Sequence, residues 1–208
     1  VEVELNSASD NPLIDPDTGK VYHGGNFHGQ HISMVMDFAS IAATEVGLLS
    51  ERRLAILLNE LTNRGLPPFL VSSDPGLRCG FMGVQYVATS LVAENQMLSC
   101  PVSIKSISTN AENQDVVSMG LISAKRAARI VKNTYYIIAL EMIAAAQAID
   151  LRNGKDLLGE GTRIAYEEIR KHVKSLDSDR SLSHDLEKIA NLLREGTIIQ
   201  KIKEKLKI

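Results

Sequence analysis

The chain has 208 residues, 44% hydrophobic and 23% charged, with four Phe, five Tyr, no Trp and a formal net charge of −2. That length can bury a sizeable core, and the apolar share excludes a disordered chain. A near-neutral balance lacks the basic footprint of a general nucleic-acid binder.

Two cysteines, Cys79 and Cys100, are too few for a disulfide scaffold. They point to buried thiols in a reducing, cytoplasmic setting. Few aromatics beside many Ala, Leu, Ile and Ser predict helices packed through aliphatic ridges. The chain opens at Val1 on acidic and polar residues, without Met or a leader pattern, as expected of a segment of a longer polypeptide. No run of 18 uncharged apolar residues is present, and the nearest, Tyr135 to Ile149, contains Glu141 and Gln147. No membrane-spanning helix or membrane partner is therefore expected.

Residues 1–29 read as irregular, with short strands at most around Val3, Leu5 and Tyr22. Asp10-Asn11-Pro12, Asp15-Pro16-Asp17 and Gly24-Gly25-Asn26 are turn formers. From Gln30 to Leu61 apolar residues recur at helical spacing, and Gly47 is the one break in composition. Roughly 32 residues at about 1.5 Å each give a rod of about 48 Å, which predicts an elongated architecture. After Asn63-Arg64-Gly65 and Pro67-Pro68, Asp74-Pro75 has the pattern of an N-cap followed by Pro at the first helical position. The helix it opens carries Val84, Val87, Ala88, Leu91, Val92, Asn95 and Leu98 and ends at Pro101. Thr109-Asn110-Ala111-Glu112 has capping-box spacing, so a third helix is expected from about Asn110 to Ile149. Its second half is apolar on nearly every side, as in a helix surrounded by others. Two amphipathic helices, about Gly161–Ser175 and Ser183–Glu195, follow on the outside, and Lys201–Lys207 reads as a solvated tail. The expected fold is all-α, a single domain over residues 1–208. Its parts are an irregular segment at 1–29, a long-helix bundle at 30–152 and a smaller helical appendage at 153–208.

Two segments could carry chemistry. His23, His28, His31 and Asp37 fall within fifteen residues, which invites comparison with a metal site. Their spacing matches no established ligand set, so capping or solvated histidines are the plainer reading and no metal is expected. The paired Gly24 and Gly25 suggest a backbone that bends sharply. In the second segment, Asn110, Asn113, Gln114 and Asp115 crowd an expected helix start. They read either as caps and satisfied amides or as a polar patch suited to a carboxylate ligand. Glu94, Asn95 and Glu141 lie on apolar faces and must be hydrogen-bonded or paired. Glu51-Arg52-Arg53 reads as a solvated face. Neither cysteine has a neighbouring His or basic cluster that would activate it.

Six segments in order carry a resemblance: Asn6-Ser7-Ala8-Ser9-Asp10-Asn11-Pro12-Leu13, Gly24-Gly25-Asn26-Phe27-His28-Gly29, Leu49-Ser50-Glu51-Arg52-Arg53, Gly65 to Val71, Asn113 to Gly120 and Gln147 to Arg152. Together they resemble the C-terminal part of the histidine and phenylalanine ammonia-lyase family. The last 56 residues contribute little to the match. The resemblance implies a long-helix bundle of the fumarase/aspartase type assembled as a homotetramer, with active sites drawn from several subunits. It implies removal of ammonia from a small aromatic amino acid by a methylidene-imidazolone electrophile, which forms from Ala-Ser-Gly. Here Ala8-Ser9 is followed by Asp10 and Ala39-Ser40 by Ile41. The electrophile and the family's Tyr and Arg would therefore come from an N-terminal part, and no catalytic residue is expected within this chain.

By the same resemblance Asn26 and Phe27 flank the substrate near the electrophile, and Asn110, Asn113 and Gln114 line the pocket. Histidine lyases place Glu where Gln114 stands, whereas phenylalanine and tyrosine lyases have Gln. Leu49–Arg53 and Gly65–Val71 are more similar to histidine lyases. The resemblance thus implies a histidine lyase first and a phenylalanine or tyrosine type next. This chain would be inactive until joined by the N-terminal part. The alternative is an inactive helical oligomerisation module of the same descent.

Overall fold

A computed structural model describes residues 1–208. The chain is all-α apart from one small hairpin, and it divides into two compact units. The first comprises residues 1–42 and 97–130, the second residues 43–96 and 131–208.

In the first unit a single turn of helix, α1 (Glu2–Leu5), precedes a two-stranded antiparallel hairpin. Strand β1 (Leu13–Ile14) pairs with β2 (Val21–Tyr22), Leu13 opposite Tyr22 and Ile14 opposite Val21. Asp15 accepts the N–H of Asp17 and of Thr18 and the Thr18 hydroxyl, an Asx-type turn that holds its carboxyl below the usual pKa. The long helix α2 (Gln30–Leu58) starts in this unit. Its buried face there is polar, made of Ser33, Asp37 and Ser40 at spacings of four and three. The helix α4 (Gly120–Leu151) also starts here and buries Ser123, Ala127 and Ile130.

The second unit holds the apolar core. Leu54 and Leu58 of α2 join Val84 and Ala88 of α3 (Met82–Leu98). From α4 come Leu140, Ile143, Ala144 and Ala148, and the loop between α2 and α3 adds Leu66, Leu70 and Phe81. Gly47 lets α2 and α4 approach: a Cβ there would stand 3.2 Å from Ile137 Cδ1 and 3.4 Å from Thr134 Oγ1. Several polar groups beside this core are satisfied. The Asn133 amide donates to Asn95 Oδ1 and Glu94 Oε2, and Ser50 and Arg53 both donate to Glu141. Three shorter helices complete the unit: α5 (Glu160–His172), α6 (Ser183–Arg194) and α7 (Thr197–Leu206).

Several expectations are corrected. Helix α3 begins at Met82, not at Pro75, because Asp74 has a left-handed backbone (φ 52°) and Pro75 bridges to Arg78 in a turn. Helix α4 begins at Gly120, not near Asn110, because Asn110, Ala111 and Glu112 all have positive φ. The C-terminal lysine run is helical: α7 packs Ile202 and Leu206 over Gly161 of α5. Glu51 is 1% exposed, held by Arg52 and by the Thr89 hydroxyl, so only part of the Glu51–Arg53 face is solvated. Both cysteines are exposed thiols. By length and apolar composition α2 and α4 could each cross a membrane. Half of α4's most apolar stretch is nevertheless buried by the chain itself, and the α2 carboxylates Asp37 and Glu51 are paired within the protein.

Candidate substrate-binding loops

Asn26 and Phe27 occupy the tip of a turn closed by the His28 N–H donating to the Gly25 carbonyl at 2.8 Å. Behind them Asn11 Oδ1 accepts the Gly24 N–H at 3.1 Å, which fastens the loop to the start of the hairpin. The turn projects both side chains outward, and Phe27 is 52% exposed, a large apolar ring standing in solvent. The ring is not part of the core.

Asn110, Asn113 and Gln114 form a second tip. Thr109 and Gln114 exchange backbone hydrogen bonds of 3.0 and 3.2 Å, and the Asn113 N–H donates to the Asn110 carbonyl. The resulting loop carries three consecutive left-handed residues, at φ 55°, 51° and 66°. Each non-glycine residue held there costs on the order of 1 kcal/mol, least for Asn. The capping-box pattern is thus spent on a tight turn, and the polar patch precedes α4 instead of forming its first turn.

The structure brings the two loops together at their stems. His28 Nε2 lies 3.2 Å from the Val116 carbonyl oxygen, and a Cβ on Gly29 would touch Ser118 Oγ at 3.6 Å. The Val117 N–H donates to Ser106 Oγ at 2.8 Å, closing the second loop across its base. All five residues singled out in the sequence are solvent-exposed and belong to one unit. Amides donate and accept hydrogen bonds, a phenyl ring packs on another ring, and none of the five moves a proton at neutral pH.

The histidines do not converge. His31 pairs with Glu4 at 2.9 Å and His28 faces Val116, while no group of three or more His, Cys, Asp or Glu side chains is arranged to hold a metal. Asp37, grouped with them by sequence, has different work. It is 5% exposed; its Oδ2 accepts the N–H of Val102 at 2.9 Å and of Ser103 at 2.8 Å, and its Oδ1 accepts the Ser123 hydroxyl at 2.6 Å. Burial alone would raise its pKa, yet the hydrogen bonds from Ser123, Ser103 and Val102 outweigh it and hold the carboxyl below the usual range. Gln30 holds the next peptide, its Nε2 donating to the Ser103 carbonyl at 2.8 Å. Sequence reasoning missed Gln30, Ser103 and Ser123. The only available signal was the i, i+4 placement of Ser33 and Asp37 on one helix face.

Comparison with known proteins shows the family and the fold. The profile of the family described as aromatic amino acid lyase matches residues 1–171. The chain is 48% identical over 203 residues to a tyrosine ammonia-lyase from Cupriavidus metallidurans, covering 98% of this chain and 38% of that protein. It is 44% identical over 204 residues to histidine ammonia-lyase 1 from Fusobacterium nucleatum, covering 98% of this chain and 39% of the relative. The crystal structure of tyrosine aminomutase from Streptomyces globisporus superimposes with a TM-score of 0.92 at 47% identity, over 97% of this chain and 38% of the other. The chain therefore spans less than two fifths of the length of these relatives.

Proposed function

This chain belongs to the aromatic amino acid lyase family, matching its C-terminal part, and we propose that it supplies the bundle and one substrate-facing wall of an aromatic amino acid ammonia-lyase. The observation that carries this reading is the junction of the Asn26–Phe27 turn with the Asn110–Gln114 turn through His28 and Val116. Two exposed recognition tips fastened side by side fit a pocket wall better than they fit two unrelated surface loops.

The family depends on a methylidene-imidazolone group, and no Ala-Ser-Gly occurs here from which it could form. A half-exposed phenyl ring beside exposed amides suits the flank of such a group, with Asn26 and Phe27 nearest to it. When present, that group supplies the electrophile for loss of ammonia. This chain's own residues bind and orient. Phe27 packs on the aromatic ring of the amino acid, and Asn110, Asn113 and Gln114 hydrogen-bond its polar groups.

Histidine is the first substrate on this reading, followed by phenylalanine and tyrosine, and the neutral Gln114 amide suits the latter pair. The remaining partners are an N-terminal part bearing the electrophile and further copies of the chain, in a cytoplasmic setting. Exposed apolar side chains on α2 support association: Met34, Val35, Phe38 and Ile41 in the first unit, and Val46, Leu49 and Ile56 in the second. The same residues favour a second reading, an oligomerisation module without chemistry. Mixing the purified chain with the family's N-terminal part separates the two. Release of urocanate, cinnamate or coumarate, followed by ultraviolet absorbance, supports the lyase. Association without turnover supports the module.

A further inference from the structure

Neither recognition turn is held in place by its own residues alone. The segment carrying Asn110, Asn113 and Gln114 is anchored at both stems. At its C-terminal stem, Val116 faces His28 and Val117 is bonded to Ser106. At its N-terminal stem, Asp37 accepts the Val102 and Ser103 N–H groups, and Gln30, about two turns earlier on α2, donates to the Ser103 carbonyl. Asp37 is also joined to α4 through Ser123. One buried carboxylate thus ties three pieces of the first unit: the helix that follows Asn26 and Phe27, the stem that leads to Asn110, and the helix that follows Gln114.

We propose that Asp37 is a positioning residue for substrate binding, fixing the Asn110–Gln114 turn against the Asn26–Phe27 turn through its three hydrogen bonds. This rests on the proposed lyase reading for the word substrate, but not for the anchoring itself. Asp37 touches neither turn and takes no part in bond making. Its action is geometric, and displacing a binding group by about 1 Å can cost as much as 100-fold in rate.

The geometry also states what the role requires. Two backbone N–H donors converge on Oδ2, so that position must accept, whereas the Ser123 hydroxyl next to Oδ1 can either donate or accept. An Asn side chain meets both demands: its oxygen takes the two N–H groups and its amide donates to Ser123, whose proton turns to the Ser33 carbonyl 2.8 Å away. Asp37→Asn therefore preserves the anchor without the charge, whereas Asp37→Ala removes it.

Hydrogen–deuterium exchange on the 208-residue chain tests the anchor. Asp37→Ala is expected to speed exchange of residues 102–118 at least tenfold while α5–α7 keep native rates, and Asp37→Asn to stay within about twofold of native. Ser123→Ala, which deletes one bond of three, is expected to give about threefold acceleration in the same segment and serves if Asp37→Ala does not fold. Native exchange in 102–118, or uniform loosening in Ser123→Ala, overturns the proposal. In the chain completed by its N-terminal part, Asp37→Ala is expected to raise KM about tenfold with kcat changed less than threefold, and Asp37→Asn to restore KM. A loss of kcat at unchanged KM, or an Asn variant as impaired as the Ala variant, overturns it too. Absence of turnover in the native completed protein counts against the lyase reading, and the exchange data then decide the anchor by themselves.

Discussion

Glu168 shows how much a single side chain can hold. It is 4% exposed on α5 and lies 2.7 Å from Lys201 Nζ of α7, 2.9 Å from Lys171 Nζ and 3.4 Å from His172 Nε2. Hydrogen bonds from Lys201 and then Lys171 prevail over burial and bring its pKa down from 4.5 to about 2. A carboxyl depressed in the folded state stabilises that state above its unfolded pKa and loses the contribution as pH falls. The contribution is complete above about pH 5 and fades between 4.5 and about 2. Glu168→Gln is expected to cost about 1.5–3 kcal/mol at pH 7, with the gap between variant and native closing across that acid window in thermal melts. On the proposed lyase reading, Gln114 is the position at which specificity is tested. Gln114→Glu in the completed enzyme should shift the ratio of kcat/KM towards histidine over phenylalanine by about tenfold or more, since a carboxylate pairs with a cationic imidazole and an amide does not. Competition assays with the two amino acids give that ratio directly.

At the level of elements, local pattern succeeded where it encoded a face and failed where the same residues serve two purposes. The body of α2, the end of α3, the buried half of α4, and α5 and α6 were legible because apolar spacing survives folding. The starts of α3 and α4 were not. Asp74-Pro75 and Thr109–Glu112 carry capping residues, but in both places the chain is drawn into turns, and a sequence window does not distinguish a cap from a turn. Helix α7 escaped because its reason to exist is remote: Ile198 is buried and Lys201 meets a carboxylate 33 positions earlier. Of the candidate site, Asn26 and Phe27 were singled out by resemblance alone and Asn110, Asn113 and Gln114 also as a polar patch, while the anchoring through Asp37, Gln30 and Ser123 was invisible because it joins stretches 65–90 residues apart in the chain. Two glycines give element-scale tests. Gly80 has φ 52°, and a Cβ there would stand 2.6 Å from the Phe69 carbonyl oxygen and 2.7 Å from Val71 Cγ1. Gly80→Ala should cost about 2–4 kcal/mol, from strain and overpacking beside buried Phe81, as read by denaturant titration. Gly47→Val should force α2 from α4 at Ile137 and cost about 1–3 kcal/mol.

For the molecule as a whole, the chain covers 38–39% of the relatives' length, and on the proposed reading the electrophile belongs to the remainder. Catalysis requires stabilisation that differs between ground and transition states, which binding residues alone do not provide. The purified chain is accordingly expected to give no absorbance change with histidine, phenylalanine or tyrosine, and turnover by the chain alone would refute this division of labour. It is expected to associate through the apolar residues of α2. Phe38→Asp should weaken that association at least tenfold, measured by light scattering against concentration with reductant present, because exposed Cys79 and Cys100 could otherwise cross-link copies.

The left-handed run at 110–112 changes how an amide at its head should be interpreted. Asn tolerates that backbone better than most side chains, so Asn110 answers to the fold whether or not anything binds. Gln114 lies outside the run and meets Thr109 only through main-chain atoms, which leaves its side chain unconstrained by the turn. On the proposed reading, position 110 therefore reports on the fold, and position 114 is the one left free to report on the substrate.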